Sequence, residues 1–468
     1  MKRPNILILY TDQQRWDALG VNGNSDIQTP YLDQLAKEGI NFDHYFVQNP
    51  VCMPSRASFL TGQYPSALGL SEMGIPVPTN TVTLPQMLKP YGYISANIGK
   101  LHFLPHANRD HRNPHPAYGF DHLEISDEPG CYEDAYRAWV RRKARGEEED
   151  VVSIGLPPAA KIWNDAMGIQ DRVIHPDERF PKRAIPFPGP DDLTHTAFVA
   201  EQTMEFISQN MGQSWLCISG FYSPHSPWVV PRRFLDQYEP SSFIMPNFPP
   251  DLEKKRQGKP DFTDDTLRAA RHGYYSMVSE VDHHIGRILS LLESKGLKND
   301  TIVIFTSDHG EWLGEHLKYG KGFPGLDSVS RVPLIIRWGE DTQSAGRTIP
   351  DIIEAVDVLP TLLEMAGVQI PGSLQGKSLL PFFEGKVHPR RDSALTEHKG
   401  WKSLRTAENR YVLKEDGEEM LFNITEDPHE YVNVAHEFKY AQQLSDMRKL
   451  LLGRLLDRER SLPRTWVY

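Results

Sequence analysis

The chain has 468 residues, enough for one large α/β core with a smaller unit beside it and too many for a single small domain. With 39% hydrophobic and 24% charged residues it has the make-up of a soluble globular enzyme, and its 37 prolines and 34 glycines are spread along the chain, which excludes a low-complexity protein. A formal net charge of -11 speaks against a nucleic-acid partner and means that an anionic ligand must be held by locally placed cations.

The basic start, Met1 to Pro4, is followed by a short apolar run, Asn5 to Tyr10. The run is too short for a signal-peptide core or a membrane span. It predicts a buried strand and a cytoplasmic chain with no membrane partner, unless a leader has been removed. The strand ends at Thr11-Asp12-Gln13-Gln14, and the carboxyl end of such a strand is where open α/β sheets build sites. Thr29 is placed to cap a helix with Pro30 at its first position, Leu32, Leu35 and Ala36 on the inner face and Gly39 at its stop. Residues from about 103 to 190 are rich in Pro, His and charge, including Arg141 to Lys143 and Glu147 to Asp150. They predict a solvated insertion in which His106, His111 and His115 are loop residues near substrate.

Leu216 to Tyr222 is a further strand, leading into Ser223-Pro224-His225-Ser226-Pro227. Met277 to Leu292 has helical spacing up to Gly296, with His283-His284 on its polar, solvated side. Thr301 to Thr306 is a buried strand ending at Ser307-Asp308-His309-Gly310, and Val332 to Trp338 is another. After about residue 385, Trp401 to Arg405, Arg410 to Leu413 and Glu419 to Phe422 alternate like short antiparallel strands, and Ala435 to Leu456 is helical. Alternating strands and helices predict an α/β fold with a mostly parallel central sheet flanked by helices over residues 1–385, insertion included. Residues 386–468 then form a smaller C-terminal α+β subdomain. Cys52, Cys131 and Cys217 are too sparse for a disulfide framework and contain no zinc-type pair, and Cys217 reads as a core residue. Glu397-His398 is placed to reach the pocket from the C-terminal side. Nothing in the sequence fixes an oligomeric state.

The string Cys52-Met53-Pro54-Ser55-Arg56, continuing Ala57-Ser58-Phe59-Leu60-Thr61-Gly62, resembles the sulfatase signature, in which Cys-x-Pro-x-Arg marks the cysteine for oxidation to formylglycine by a maturation enzyme. The resemblance implies an alkaline-phosphatase-like fold and hydrolysis of a sulfate ester. The aldehyde hydrates to a gem-diol, one hydroxyl attacks sulfur, and the second lets sulfate leave. Arg56 would steady the diol. Asp12, Gln13, Asp308 and His309, with residue 52 itself, resemble the metal site. Oxygen donors point to calcium, and the imidazole leaves manganese or magnesium open.

Many sulfatases have Asp-Asp and Asp-Asn where this chain has Asp12-Gln13 and Asp308-His309. The change leaves open whether Gln13 ligates through its amide oxygen or only hydrogen-bonds nearby. It also draws the site toward phosphonate monoester hydrolases and choline-sulfatase-like enzymes. Gly99-Lys100-Leu101-His102 resembles a Gly-Lys-x-His element that phosphonate hydrolases lack. On an extended segment Lys100 and His102 would share one side, Lys100 toward sulfate and His102 taking a proton. His225, in a Pro-His-x-Pro loop, would serve the leaving alcohol, and Lys321 in Gly-Lys-Gly would neutralise developing charge, with Lys318 as a rival. Asp357 to Leu363 and Leu421 to Asn433 resemble packing elements of the family, so the likeness runs from Asn5 to about Val434. A carbohydrate sulfate is the leading substrate, then an aryl or choline-type ester. The alternatives are a phosphonate monoester or phosphodiester hydrolase on the same scaffold, or a non-catalytic binding protein.

Overall fold

Ile6, Leu7, Ile8 and Leu9 are all sealed from solvent, as a strand covered on both faces requires. The computed structural model describes residues 3–105, 113–144, 181–339, 345–386 and 391–458. In chain order the strands of its main sheet are β1 (Asn5–Thr11), β2 (Ile40–Phe46), β3 (Ile94–Gly99) and β4 (His122–Ile125), with β5 (Ile185–Pro186) forming a separate ribbon. They continue with β6 (Trp215–Gly220), then β7 (Val229–Val230), which pairs with β5, and β8 (Thr301–Ser307), β9 (Leu334–Arg337) and β10 (Arg347–Glu354). The eight main strands lie in the order β10-β2-β9-β8-β1-β6-β3-β4. All neighbours are parallel except β9, which runs antiparallel to both β8 and β2.

The four central strands position the site. β8, β1, β6 and β3 are adjacent and mutually parallel, in the registers Thr11↔Ser307, Tyr10↔Gly220 and Gly99↔Gly220. Their carboxyl ends therefore open onto one edge of the sheet, and the polar segments that follow them emerge side by side. Alternate residues of β1 serve two cores. Ile6, Ile8 and Tyr10 pack on the side of the helices Cys52–Thr61 and Val358–Met365, whereas Leu7 and Leu9 pack on the side of the helices Pro30–Glu38, His195–Gln209 and Asp264–Ser294. The two-sided demand explains the uninterrupted apolar run.

The C-terminal region adds an antiparallel sheet of β11 (Ser393–His398), β12 (Trp401–Thr406), β13 (Asn409–Lys414) and β14 (Glu419–Asn423), with the helix Ala441–Asp457 packed on it through Leu444, Met447 and Leu451. β11 grips the segment before Cys52. Thr396 Oγ1 donates to Val47 O at 2.7 Å, Glu397 N to Gln48 O at 2.7 Å, and Asn49 Nδ2 to Glu397 O at 2.7 Å.

Several sequence expectations are corrected. β4, inside the stretch expected to be an insertion, is the edge strand of the main sheet, paired with β3. Of the helix or loop expected for the charge run, Arg141 to Lys143 take the helix, closing Ala135–Lys143, and Lys143 Nζ donates to Glu201 at 2.6 Å. Glu147 to Asp150, His106 and His111 lie outside the described residues. Glu397 does not reach the pocket: its carboxylate accepts from Ser66 N at 2.6 Å and pairs with Arg458, and His398 stacks on Trp401. His284 is buried, not solvated, and accepts from Arg287 Nη1 at 3.0 Å.

Thr29 precedes the helix Pro30–Glu38 as expected but does not cap it, because its hydroxyl is committed to Gly20 N at 2.9 Å and Asp33 at 3.1 Å. The free N–H groups of Leu32 and Tyr31 go instead to the Asp282 carboxylate, at 2.8 and 3.3 Å, from the long helix Asp264–Ser294. A tertiary cap of this kind leaves no local signal. Asp282→Ala strands both donors in a buried site and should lower unfolding free energy by about 1–3 kcal/mol in urea titration. Asp282→Asn, which keeps an acceptor, should recover most of that loss.

Candidate active site

Asp12 and Asp308 leave β1 and β8 next to each other, both fully buried. The backbone turns sharply after Asp12: Gln13 has φ 68°, which aims its N–H at Asp308 Oδ1, 3.0 Å away. Cys52 is the first residue of the helix Cys52–Thr61, every residue of which is buried, and Gly62 ends that helix in the left-handed region. Arg56, one turn on, donates from Nε to Asp308 Oδ2 at 2.7 Å, from Nη1 to Lys100 O at 3.0 Å and from Nη2 to Thr11 O at 3.3 Å, and lies 3.5 Å from Asp12 Oδ2. Ser55 Oγ donates to Asp308 O at 2.5 Å. The helix that begins at Cys52 is thus pinned to the ends of both acid-bearing strands.

The thiol of Cys52 lies 3.2 Å from His309 Nε2, 3.8 Å from Asp12 Oδ1 and 2.6 Å from Lys321 Nζ. His309 Nδ1 donates to Gly310 O at 2.8 Å, which leaves the Nε2 lone pair turned inward. Burial pushes His309 down to about 4, so the ring is neutral near pH 7. Burial pushes the Cys52 thiol up to about 12, with Asp12 adding to the rise, so an unmodified thiolate is disfavoured here. Burial alone would raise Asp12, but Lys100 and the other cations around it hold the carboxyl well below the usual range.

Lys100 follows β3 and places Nζ 2.8 Å from Asp12 Oδ2 and 3.8 Å from Glu128 Oε1, over the ring of Tyr222. The segment is not extended as its sequence suggested. β3 ends at Gly99, whose φ is 87° and whose position faces Gly220 O so closely that a Cβ would sit 2.2 Å from it. His102 is left-handed at φ 54°, and both Leu101 N and His102 N donate to Asp127 Oδ1, at 2.9 and 2.8 Å. A tight turn held by Asp127, not strand alternation, sets the orientation of His102, which is buried.

His225 lies in the turn after β6, between two cis peptide bonds. Its Nδ1 donates to Ser226 O at 2.6 Å, leaving Nε2 as an acceptor 3.4 Å from Lys321 Nζ. Burial, then Lys321, lowers His225 to about 3. The Lys321 ammonium, also 3.2 Å from His309 Nε2, has one acceptor for each of its three protons. Lys318 turns away, donating to Phe323 O at 3.1 Å over the Trp312 ring.

Asp12, Cys52, Asp308 and His309 offer ligand atoms that all lie within 4.8 Å of one another. Two carboxylates and one inward imidazole lone pair suit a divalent cation. The Gln13 amide adds to the fit. Its Nε2 donates to Glu311 while Oε1 is buried without a partner among the described residues. Sequence reading missed Glu311, Asp127 and Glu128. Glu311 also accepts from Leu313 N and Gly320 N, tying Gln13 to the loop that carries Lys321. Its nearness to Asp308-His309 in the chain was the available signal.

Such a cluster at the carboxyl edge of a mostly parallel sheet marks a hydrolase with a buried nucleophile and room for a metal. Residues 4–368 match the Sulfatase family, and residues 314–456 match the C-terminal region of N-sulphoglucosamine sulphohydrolase. The chain belongs to the sulfatase family and is a sulfate ester hydrolase. It is similar to an arylsulfatase of Clostridium perfringens, 30% identical over 98% of this chain and 95% of that one, and to an N-acetylglucosamine-6-O-sulfatase of Bacteroides thetaiotaomicron, 27% identical over 96% and 86%. Among solved structures it resembles a phosphonate monoester hydrolase of Agrobacterium radiobacter, with a TM-score of 0.81 and 25% identity over 97% of this chain and 96% of that one. It shares its fold, at a TM-score of 0.76, 23% identity and 98% coverage of both chains, with a protein solved in complex with D-glucosamine-2-N,6-O-disulfate.

The two candidate lysines separate cleanly in this geometry. Lys321→Ala should lower kcat on 4-nitrophenyl sulfate by about 10²–10³, the usual cost of losing one donor to developing charge. Lys318→Ala should leave kcat within about threefold, because Lys318 faces Phe323 and Trp312.

Proposed function

We propose that this sulfatase works with formylglycine at position 52 and a divalent cation, calcium first, held by Asp12, Gln13, Asp308, His309 and residue 52, and that it acts on a carbohydrate sulfate. The observation that carries the reading is the reach of Lys321 Nζ to Cys52 Sγ, His309 Nε2 and His225 Nε2 at once. The cation, when bound, supplies Lewis acidity that favours the anionic form of the nucleophile. Formylglycine supplies an oxygen nucleophile in place of the thiol. Arg56 and Lys100 hold negative charge at Asp12 and Asp308. Lys321 binds the oxygens of the sulfate group, and its ammonium also donates to His225 Nε2, 3.4 Å away. His225, with Nδ1 held by Ser226 O, would protonate the leaving alcohol oxygen from Nε2 once that nitrogen has taken up a proton from Lys321 or water. His102 would accept a proton as inorganic sulfate leaves. In the net reaction water is consumed, the ester S–O bond breaks and the alcohol keeps its oxygen.

A cleft of about 290 Å³ adjoins Lys321 and His225 and is walled by Trp228 and Tyr319. The two rings lie 6.4 Å apart at 57°. Aromatic faces beside polar groups suit a sugar ring, and relatives named for N-acetylglucosamine-6-O-sulfate and ulvan sulfate hydrolysis support a saccharide. A second reading, phosphonate monoester hydrolysis, is favoured by Asp12-Gln13, Asp308-His309 and the likeness to the Agrobacterium enzyme. The Lys100–Asp12 pair weighs toward sulfate.

Intact-mass analysis should show a loss of about 18 Da at Cys52, the change from thiol to aldehyde. With matured protein, sulfated sugars and 4-nitrophenyl sulfate should turn over faster than a phosphonate monoester, and Cys52→Ala should be inactive. Chelation should stop turnover and added calcium restore it. A higher kcat/KM for the phosphonate would reverse the choice of ester. Equal rates for Cys52→Ala would remove the nucleophile.

A further inference from the structure

Arg15 and Asp17, in the loop that leaves β1, line a second pocket of about 240 Å³, which the chemistry above does not use. Its lining includes Arg15, Asp17, Asp26, Arg271, Tyr275 and Glu315. Most of its charges are already spent on one another. Arg15 binds Asp17 side-on, at 2.7 Å from Nε and 2.6 Å from Nη2, and also reaches Glu315 Oε1 at 2.8 Å. The other Glu315 oxygen accepts from Ser328 Oγ at 2.7 Å, and Asp26 Oδ2 accepts from Ile244 N at 2.7 Å.

Arg271 is the exception. It is only 5% exposed, yet its single hydrogen bond among the described residues runs from Nη1 to Leu313 O at 3.2 Å, and it forms no ion pair among them. Among the described residues its Nε and Nη2 have no acceptor, and the side chain lines the pocket. A buried guanidinium with an unused edge calls for a partner, because a buried charge without direct hydrogen bonds is costly. The Nε–Nη2 edge is the one whose parallel N–H bonds match the two oxygens of a planar carboxylate.

Charge count favours a carboxylate over a doubly charged oxyanion. Asp17, Glu315 and Asp26 outnumber Arg15 and Arg271, so the lining repels a doubly charged ligand more strongly than a singly charged one, and the Arg271 edge itself must hold the anion. Hydroxyl-binding groups flank the edge. Tyr275 Oη receives only a long bond, 3.5 Å, from Asn24 Nδ2. The neighbouring Tyr274 donates to Gln13 O at 2.7 Å and accepts from Arg15 N at 2.8 Å, which ties Arg15, a lining residue, to the loop of the catalytic cluster.

We propose that this pocket is a second binding site, distinct from the sulfate-ester centre, for a carboxylate held side-on by Arg271. The carboxylate could be carried on a sugar, as in a uronate, or belong to a free small acid. Isothermal titration of the full chain with sodium glucuronate, sodium acetate and sodium sulfate at matched ionic strength tests it. Glucuronate should bind saturably, and Arg271→Gln should weaken it at least tenfold. Glucuronate binding well above acetate identifies a sugar-borne carboxylate, and equal binding identifies a free small acid. Sulfate binding as tightly as either would overturn the carboxylate assignment, and no saturable binding of either acid would overturn the site. Equal glucuronate affinity in a folded Arg271→Gln protein would overturn it as well. Should that variant not fold, a co-crystal of the unaltered protein with glucuronate decides, since electron density for the sugar anywhere but against Arg271 refutes the proposal.

Discussion

Two parallel strands that end level with each other place two carboxylates in one dry space, and most of the site follows from keeping them charged there. Asp12 and Asp308 are both fully buried, and unpaired carboxylates in such a place would take up protons. Arg56 answers both at once, with 2.7 Å to Asp308 Oδ2 and 3.5 Å to Asp12 Oδ2, and Lys100 adds a second cation to Asp12. Because Arg56 lies one helical turn after Cys52, fixing the guanidinium also fixes the side chain of Cys52. The electrostatic requirement of the acids and the placement of residue 52 are therefore one problem with one solution. It accounts for a helix buried on every side, where an ordinary surface helix would show only a stripe.

The three cations of the cluster are not interchangeable. Arg56 is saturated by fixed acceptors, two of them backbone carbonyls at the ends of β1 and β3, so it is part of the frame. Lys100 is sealed beneath Tyr222 between Asp12 and Glu128. Lys321 comes from a loop, and its acceptors are the thiol and two imidazoles, groups whose partners change when a substrate or metal arrives. A compact ammonium on a flexible stem suits that exchange better than a guanidinium fork would.

What the sequence made legible was the part of the site delivered by strands. Continuous apolar runs ending in Asp12 and Asp308 announce buried parallel strands, and parallel strands bring their ends to a common edge without further information. The antiparallel tail was legible from alternation in β12, β13 and β14, and a strand was expected just before Glu397-His398. β11 extends through both residues, because Ser393 to His398 is buried nearly throughout and its polar residues are paired, not solvated. Turns were harder. The left-handed backbone at His102 depends on Asp127, twenty-five residues away, and the cap on Leu32 comes from Asp282, two hundred and fifty residues away. Lys318 and Lys321 carry the same charge three positions apart, and only the fold of the loop decides which one faces Cys52.

Replacing the usual acid–acid and acid–amide pairs with Asp12-Gln13 and Asp308-His309 also finds its reason in charge. Gln13 Nε2 is committed to Glu311, which fixes the orientation of the amide and leaves Oε1 as its unpartnered end. The carboxyl group absent from position 13 stands one hydrogen bond further back, at Glu311, where burial raises it above its usual range and so disfavours its charge. At the other pair, His309 brings a neutral nitrogen donor that adds no charge to a space already crowded by Asp12 and Asp308. The inner donors therefore carry two carboxylates where the usual pairs would carry three, and three nearby cations, Arg56, Lys100 and Lys321, offset much of what remains. A cation in this site would be held by donor geometry more than by raw charge, and the ammonium of Lys321 can stay close to it without a second carboxylate to neutralise it.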